Sequence, residues 1–426
     1  MKKLLLFIFG AGVLPFLSPA QTGHIMQGIG AVNMSMGGAA TAQPTDINGA
    51  LQWNPASISA FKNNIFSANA GIFFSSPELS SSVGTMKGTT KDDRGISVMP
   101  ALAMVWAKEK SKHSFGVSAF GISGFGVTFP ENTANPVNMP QNDGGFGRIQ
   151  SDYQLMQVGF TYAYKLNEQF SIGLAPTANY ATLKLAPNPL ASPNPTKGYP
   201  VSDRASATGF GGQIGLFYNP GKGIKLGLSY KTQQAFGDFK FKNTYLDGTA
   251  APEVKFKMNY PAILSAGLGY SVKDFDAALD YRFVNYKNTK GFTAKGWTST
   301  ASVAGFGWEN ISVVSAGIQY KGVKKLPLRI GYTYSTNPIS SELAFFSTPA
   351  TAIIKNAVQF GFGYEANDKM TLNAVYHHGS SSGSTSGPLL SPMMAGSANP
   401  YGIVPGTSVS YKMTTDLVMV GINYKF

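Results

Sequence analysis

The chain has 426 residues, of which only 13% are charged, about half the roughly 25% usual for soluble globular proteins. Its 49 glycines, 20 tyrosines and 29 phenylalanines come with no cysteine, which excludes disulfides, thiolate metal sites and a lipid-modified N-terminal cysteine. The formal charge is +13, but the lysines are scattered in turn-like clusters such as Lys108-Glu109-Lys110-Ser111-Lys112, with no basic helix or basic-aromatic sheet motif. Solvated turns and contacts with anionic lipid headgroups are expected, and nucleic acid is not.

Residues 1–20 read as a cleavable secretory signal. Lys2 and Lys3 precede an apolar run, Leu4 to Leu17, too short to span a bilayer comfortably, and Ser18-Pro19-Ala20 supplies small residues at a cleavage site before Gln21. Residues 21–62 are apolar, Gly/Ala-rich and low in charge. Within them "NGALQWNPASISAF" (48–61) is neither a clean helix nor a clean strand. Pro55 lacks an N–H and pushes Asn54 out of the helical region. Yet Leu51, Trp53, Ile58 and Phe61 are more large apolar residues than an exposed turn carries, so this irregular backbone calls for shelter.

From residue 63 onward the pattern has period two. Val158, Phe160, Tyr162 and Tyr164 alternate with Gly159, Thr161 and Ala163. Ile224, Leu226, Leu228 and Tyr230 alternate with Lys225, Gly227, Ser229 and Lys231. Leu328, Ile330, Tyr332 and Tyr334 alternate with Arg329, Gly331, Thr333 and Ser335. Such segments are strands with one apolar and one small or polar face. Short joins near Lys110, Asn167, Pro220, Lys273, Val323 and Asn367 alternate with long Gly/Ser/Pro/Asn-rich segments around 77–96, 125–149, 187–206, 242–252, 288–308, 337–350 and 380–407. No apolar run long enough for a membrane helix follows the signal.

The fold expected is therefore all-β: a transmembrane, antiparallel, up-and-down β-barrel of about fourteen strands spanning 63–426, with tight periplasmic turns and long outer loops. Trp106, Tyr164, Tyr218, Tyr270, Tyr320, Tyr364 and Tyr424 recur beside the short turns or near the last strand's end, where an amphipathic ring sits at the membrane–water interface. The chain ends on an alternating strand closed by Phe426, similar to the signal read by the outer-membrane barrel assembly machinery. The location expected is the outer membrane of a Gram-negative bacterium, among lipid and lipopolysaccharide, as a multi-pass monomer. Residues 21–62 then become a hatch, or plug, within the lumen, where irregular backbone can find partners.

Catalytic and metal motifs are weak. His377 and His378 are adjacent in a strand, so they point to opposite faces and do not share a metal easily. The serines of "GSSSGSTSG" have a flexible-loop composition, there is no G-x-S-x-G, and Gly209-Phe210-Gly211-Gly212 is a glycine-rich strand with no helix after it. No enzyme activity, cofactor or metal is expected.

The N-terminal arrangement Gly28-x-Gly30, Gly37-Gly38-Ala39-Ala40, Asp46, Gly49-Ala50 and Asn54-Pro55-Ala56 resembles the hatch of the long-chain fatty acid transporter family (FadL/TodX type). The resemblance continues through "HSFGVSAFGISGFGVTF", "SDYQLMQVGFTYAYKLNEQFSIGLAPTANYATLKL", "AVYHHG" and the closing "VGINYKF". It implies a passive channel for hydrophobic compounds, long-chain fatty acids or aromatic hydrocarbons. Solute would be captured by an outer groove, held in a lumenal pocket near the hatch N-terminus and released sideways through a wall gap. Gly121, Gly124 and Gly126 in the third strand suit such a gap, because glycine tolerates irregular backbone; they would equally suit a curved wall. Lys184, Lys287 and Lys290 match the places where the family sets cations for a carboxylate, although strand parity puts Lys184 with Ile172, Leu174 and Tyr180 on the lipid face. The alternatives are a general diffusion porin, which would have a charged constriction and no plug, and a barrel enzyme or adhesin.

Overall fold

Fourteen antiparallel strands close into a ring. The structure is a computed structural model that describes residues 23–426, so the expected signal at 1–20 lies outside the described residues. In chain order the strands are β1 (Ile65–Val83), β2 (Ile96–Trp106), β3 (His113–Phe129), β4 (Ile149–Lys165), β5 (Phe170–Ala186), β6 (Ala205–Tyr218) and β7 (Ile224–Lys231). They continue as β8 (Ala262–Val272), β9 (Phe275–Asn285), β10 (Ile311–Tyr320), β11 (Leu328–Ser335), β12 (Asn356–Glu365), β13 (Met370–Ser380) and β14 (Thr407–Lys425). Each pairs with its neighbours in sequence, and β14 returns to β1 in register from Ile65↔Lys425 to Val83↔Thr407. Among the described residues no helix is long and apolar enough to cross a membrane, and the strands do the spanning.

The alternation in sequence is the alternation of faces. Phe160, Leu216, Leu226, Leu268 and Ile330 are exposed, while Ser229, Ser265, Ser315 and Thr333 are buried. An apolar outside over a small, polar inside suits a barrel in lipid. At the short-turn end Tyr218 packs against Phe170 with ring centroids 4.5 Å apart, and Tyr320 against Phe275 at 4.8 Å, both pairs tilted. Cross-strand aromatic pairs thus reinforce the girdle that the tyrosine positions announce.

Residues 24–59 lie within the ring and are almost wholly buried. They form α1 (Gly30–Ser35), α2 (Ile47–Trp53) and a 3₁₀ turn over Pro55–Ala60. Asp46 caps α2 by accepting from the Gly49 N–H, and Asn54, extended at φ −152°, ends α2 and caps the next turn through the Ala56 N–H. Pro55 takes the first position of that turn, where its missing N–H costs nothing. The segment bonds to strands all around the ring: Ala31 N–H to Asn69 of β1, Thr41 to Asp280 of β9, Thr333 of β11 to the Gly37 carbonyl, and Gln359 of β12 to Gln27.

Where it touches the wall, the wall is glycine. Gly173, Gly215, Gly227, Gly317 and Gly331 face inward on five strands. A methyl at any of them would fall inside van der Waals range of Ala56, Asn54, Thr41, Met36 or Gly37 respectively. Glycine here supplies room, letting segment backbone lie directly on wall backbone.

Candidate functional site at the interrupted wall

One seam of the ring is incomplete. β2 and β3 pair only from Ala101↔Phe120 to Trp106↔Phe115, although both strands continue outward. β3 stays with β4 instead, up to Phe129↔Ile149, after a register shift between Gly121 and Ser123. The bulge swings the outer half of β3 away from β2. Pro100, the first β2 residue beyond the paired stretch, has no N–H to offer β3. Contact resumes farther out, where Asp93 N–H donates to the Thr128 carbonyl at 2.9 Å and Asp92 accepts from the Thr128 N–H. The result is a window bounded above and below. Its cavity of about 560 Å³ is lined by residues that include Ile96, Val98, Pro100, Phe125, Tyr153 and Met156.

All three glycines singled out in the sequence line this window. Gly121 could carry a Cβ without clash, in ordinary contact with Met156 at 3.7 Å and Pro100 at 3.9 Å. At Gly126 the guanidinium of Arg94 lies across the backbone where a Cβ would be. Arg94 continues to Asp152 of β4, Nη2 to Oδ1 3.0 Å, and Arg204 holds the other oxygen of that carboxylate. Gly124 donates its N–H to the His24 carbonyl at 3.1 Å, Ser123 Oγ donates to the same carbonyl, and Met26 N–H donates to Ile122. The start of the described N-terminal segment thereby pairs with the edge of β3 that β2 leaves free.

Asn54-Pro55-Ala56 sits at the opposite, short-turn end of the lumen. Asn54 Nδ2 donates to the carbonyls of Thr41 at 2.7 Å and of Leu216 in β6 at 2.9 Å. Below it the lumen is polar: Lys225 donates to Gln43 and Ser271, and Arg329 to Gln319 and Asn373.

The structure does not gather the three lysines, and none reaches the lumen. Lys184 stands opposite Asp152 on the lipid-facing side of β5, because its inward neighbours are Leu183 and Leu185. Lys287 pairs with Glu309 in the loop after β9, and Lys290 is exposed in that loop. The lumen holds other cations. Lys231 is buried, with its Nζ 3.3 Å from Gln157 Oε1, and Arg282 lies 3.7 Å over the Trp53 ring. Lys231 has inward parity in β7, a signal legible in the alternation. His377 points inward to Gln359, and His378 points outward to Asp416, 2.7 Å away. Among the described residues no group of three or more His, Asp or Glu is placed to hold a metal. On the outer side, the loops converge in a narrow apolar cleft among Phe146, Tyr199, Trp297, Phe345 and Phe346.

A lipid-facing barrel of fourteen strands, filled near the short turns and interrupted at one seam, is an outer-membrane transport barrel. The family model described as outer membrane protein transport protein (OMPP1/FadL/TodX) matches residues 23–420, and the chain belongs to that family. Among solved structures, the toluene transporter TodX of P. putida aligns over 94% of this chain and 99% of its own, with 18% identity and a TM-score of 0.69. A FadL homologue of Pseudomonas aeruginosa aligns over 95% and 100%, with 12% identity and a TM-score of 0.71. The toluene transporter TbuX of Ralstonia pickettii aligns over 94% and 99%, with 17% identity and a TM-score of 0.64. No curated protein sequence matches the chain.

Proposed function

We propose that the barrel is a passive uptake channel for hydrophobic compounds, that residues 21–62 act as its hatch, and that solute leaves sideways through the window between β2 and β3. The observation that carries this reading is the loss of β2–β3 pairing beside a cavity lined by Ile96, Val98, Phe125 and Met156. A solute entering through the outer apolar cleft meets buried aromatic groups in the lumen. Downward, its path is filled by the N-terminal segment seated on glycine, with a polar floor beneath. Sideways, it meets lipid. For an apolar solute the lateral path avoids re-entry into water. The toluene transporters and the FadL homologue named above agree with a hydrophobic substrate, and a diffusion porin fits a filled lumen poorly.

The test uses the chain's lack of cysteine. Pairs of cysteines, one within 96–100 and one within 121–126, are chosen with Cα separations that a disulfide can bridge, and oxidised. Locking the seam is expected to abolish toluene flux into proteoliposomes, and reduction to restore it. Undiminished flux through a fully locked barrel would mean that solute passes the hatch to the periplasmic end.

A further inference from the structure

His24 is fully buried, and six aromatic rings surround its imidazole. Ring centroids lie at 5.0 Å for Phe292, 5.5 Å for Tyr286, 5.8 Å for Tyr153 and Trp308, 6.0 Å for Tyr260 and 6.4 Å for Phe125. These rings come from β3, β4, the segment before β8 and the loop after β9, so the tertiary fold builds the box. His24 Nδ1 lies 2.8 Å from the Tyr286 hydroxyl. Among the described residues, buried His24 Nε2 and the buried hydroxyls of Tyr153 and Tyr260 have no hydrogen-bond partner. Burial pushes the imidazole pKa down to about 3, so the enclosed ring is neutral.

The box offers more than its occupant uses. Its faces and edges suit a planar ring. Three of the surrounding rings are phenols, and the imidazole engages the hydroxyl of Tyr286. It also adjoins the exit, since Phe125 and Tyr153 line both the box and the window cavity. The residue filling it is hydrogen-bonded to β3 at the window through its backbone carbonyl, which accepts from Gly124 N–H and Ser123 Oγ.

We propose that this box is a binding site for a small aromatic molecule bearing a hydrogen-bonding oxygen or nitrogen, a phenol or an N-heteroaromatic, and that the His24 imidazole is its built-in competitor. The inference rests on the channel reading and narrows its substrate class. A plain hydrocarbon of equal size fills the box but pairs with none of the hydroxyls, leaving Tyr286 with the backbone N–H of residue 24 alone and giving Tyr153 and Tyr260 nothing. A site lined by buried polar groups discriminates against a ligand that cannot pair with them. An intramolecular ring already in place lowers the apparent affinity of any incoming one, as an unpopulated competent state does.

The experiment measures binding of phenol, 4-methylimidazole and toluene to the purified full-length barrel in detergent by calorimetry, with folding checked by heat-modifiable gel mobility. His24→Ala is expected to bind phenol and 4-methylimidazole at least tenfold more tightly than the unmodified barrel, with a smaller gain for toluene. His24→Phe refills the box and is expected to cancel the gain. Tyr260→Phe keeps the ring, and is expected to weaken phenol binding severalfold while leaving toluene binding unchanged. Equal gains for toluene and phenol, or no gain for any probe in folded His24→Ala, would overturn the proposal. Should His24→Ala not fold, an unchanged phenol affinity in Tyr260→Phe overturns it alone. Toluene flux through the unmodified barrel is measured in parallel. Flux without phenol preference removes the box and leaves the channel reading intact, whereas absent flux removes the channel reading and leaves the measured affinities standing.

Discussion

Replacing Asn54 with alanine removes three hydrogen bonds at once. Its Nδ2 donates to the Thr41 carbonyl at 2.7 Å and the Leu216 carbonyl at 2.9 Å, and its Oδ1 accepts the Ala56 N–H at 3.1 Å. The first bond ties the segment to itself, the second ties it to β6, and the third starts the turn at Pro55. At about 1 kcal/mol each, the loss is about 3 kcal/mol. Since 1.4 kcal/mol is a factor of ten, the undocked population of the segment should rise by roughly a hundredfold. Most of the wall has no part in these bonds, so the barrel should remain closed. Hydrogen exchange followed by mass spectrometry reads both parts separately. Amides between residues 40 and 60 should exchange roughly a hundredfold faster, while those of β6 to β8 stay protected. Exchange within threefold of the unmodified chain, in a folded barrel, would refute the reasoning and leave Asn54 a turn residue only.

Deleting residues 24–52 should leave a folded barrel whose conductance in planar bilayers is much higher than that of the full chain; no rise would sink the plug assignment. His24 gives a pH dependence. Its folded-state pKa is depressed from 6.5 to about 3 by burial, so the released segment binds the proton more readily. Docking is complete above about pH 6.5 and weakens as pH falls toward 3, by about 3 kcal/mol at pH 4.5. The titratable groups facing the imidazole are Tyr153, Tyr260 and Tyr286, phenols that stay neutral across this range. Faster exchange of residues 23–30 at pH 4.5, absent in His24→Phe, is the expected result, and equal acceleration in both chains would assign the effect elsewhere.

The strands were legible because a wall with lipid on one side and a packed lumen on the other imposes period two over most of its length. Leu226, Leu228 and Tyr230 could be assigned a face from spacing alone. The window was half legible. Gly121, Gly124 and Gly126 point to β3, but the equally telling Pro100, which withdraws a donor from the facing edge of β2, is a lone proline whose sequence neighbours do not say which partner strand it faces. Parity already turned Lys184 outward, and the same parity turned Lys231 inward, so the lumenal cation was readable from the alternation of β7. The aromatic box was not. Its rings lie between Phe125 and Trp308 with no common spacing, and the imidazole they enclose comes from residue 24. Loop conformation brings them together, and no local periodicity encodes that.

The glycines that seat the N-terminal segment have a consequence for how the barrel reaches its register. In a strand a shift of one residue exchanges the two faces. Gly227 lies between Leu226 and Leu228, Gly215 between Ile214 and Leu216, and Gly331 between Ile330 and Tyr332. A slipped strand would thus present a large side chain to Thr41, Asn54 or Gly37, where even a methyl does not fit. Lipid alone is a permissive judge of register, because it accepts many apolar surfaces. The segment inside is not, and by lying against bare backbone on several strands it acts as a gauge that only a correctly aligned wall can close around.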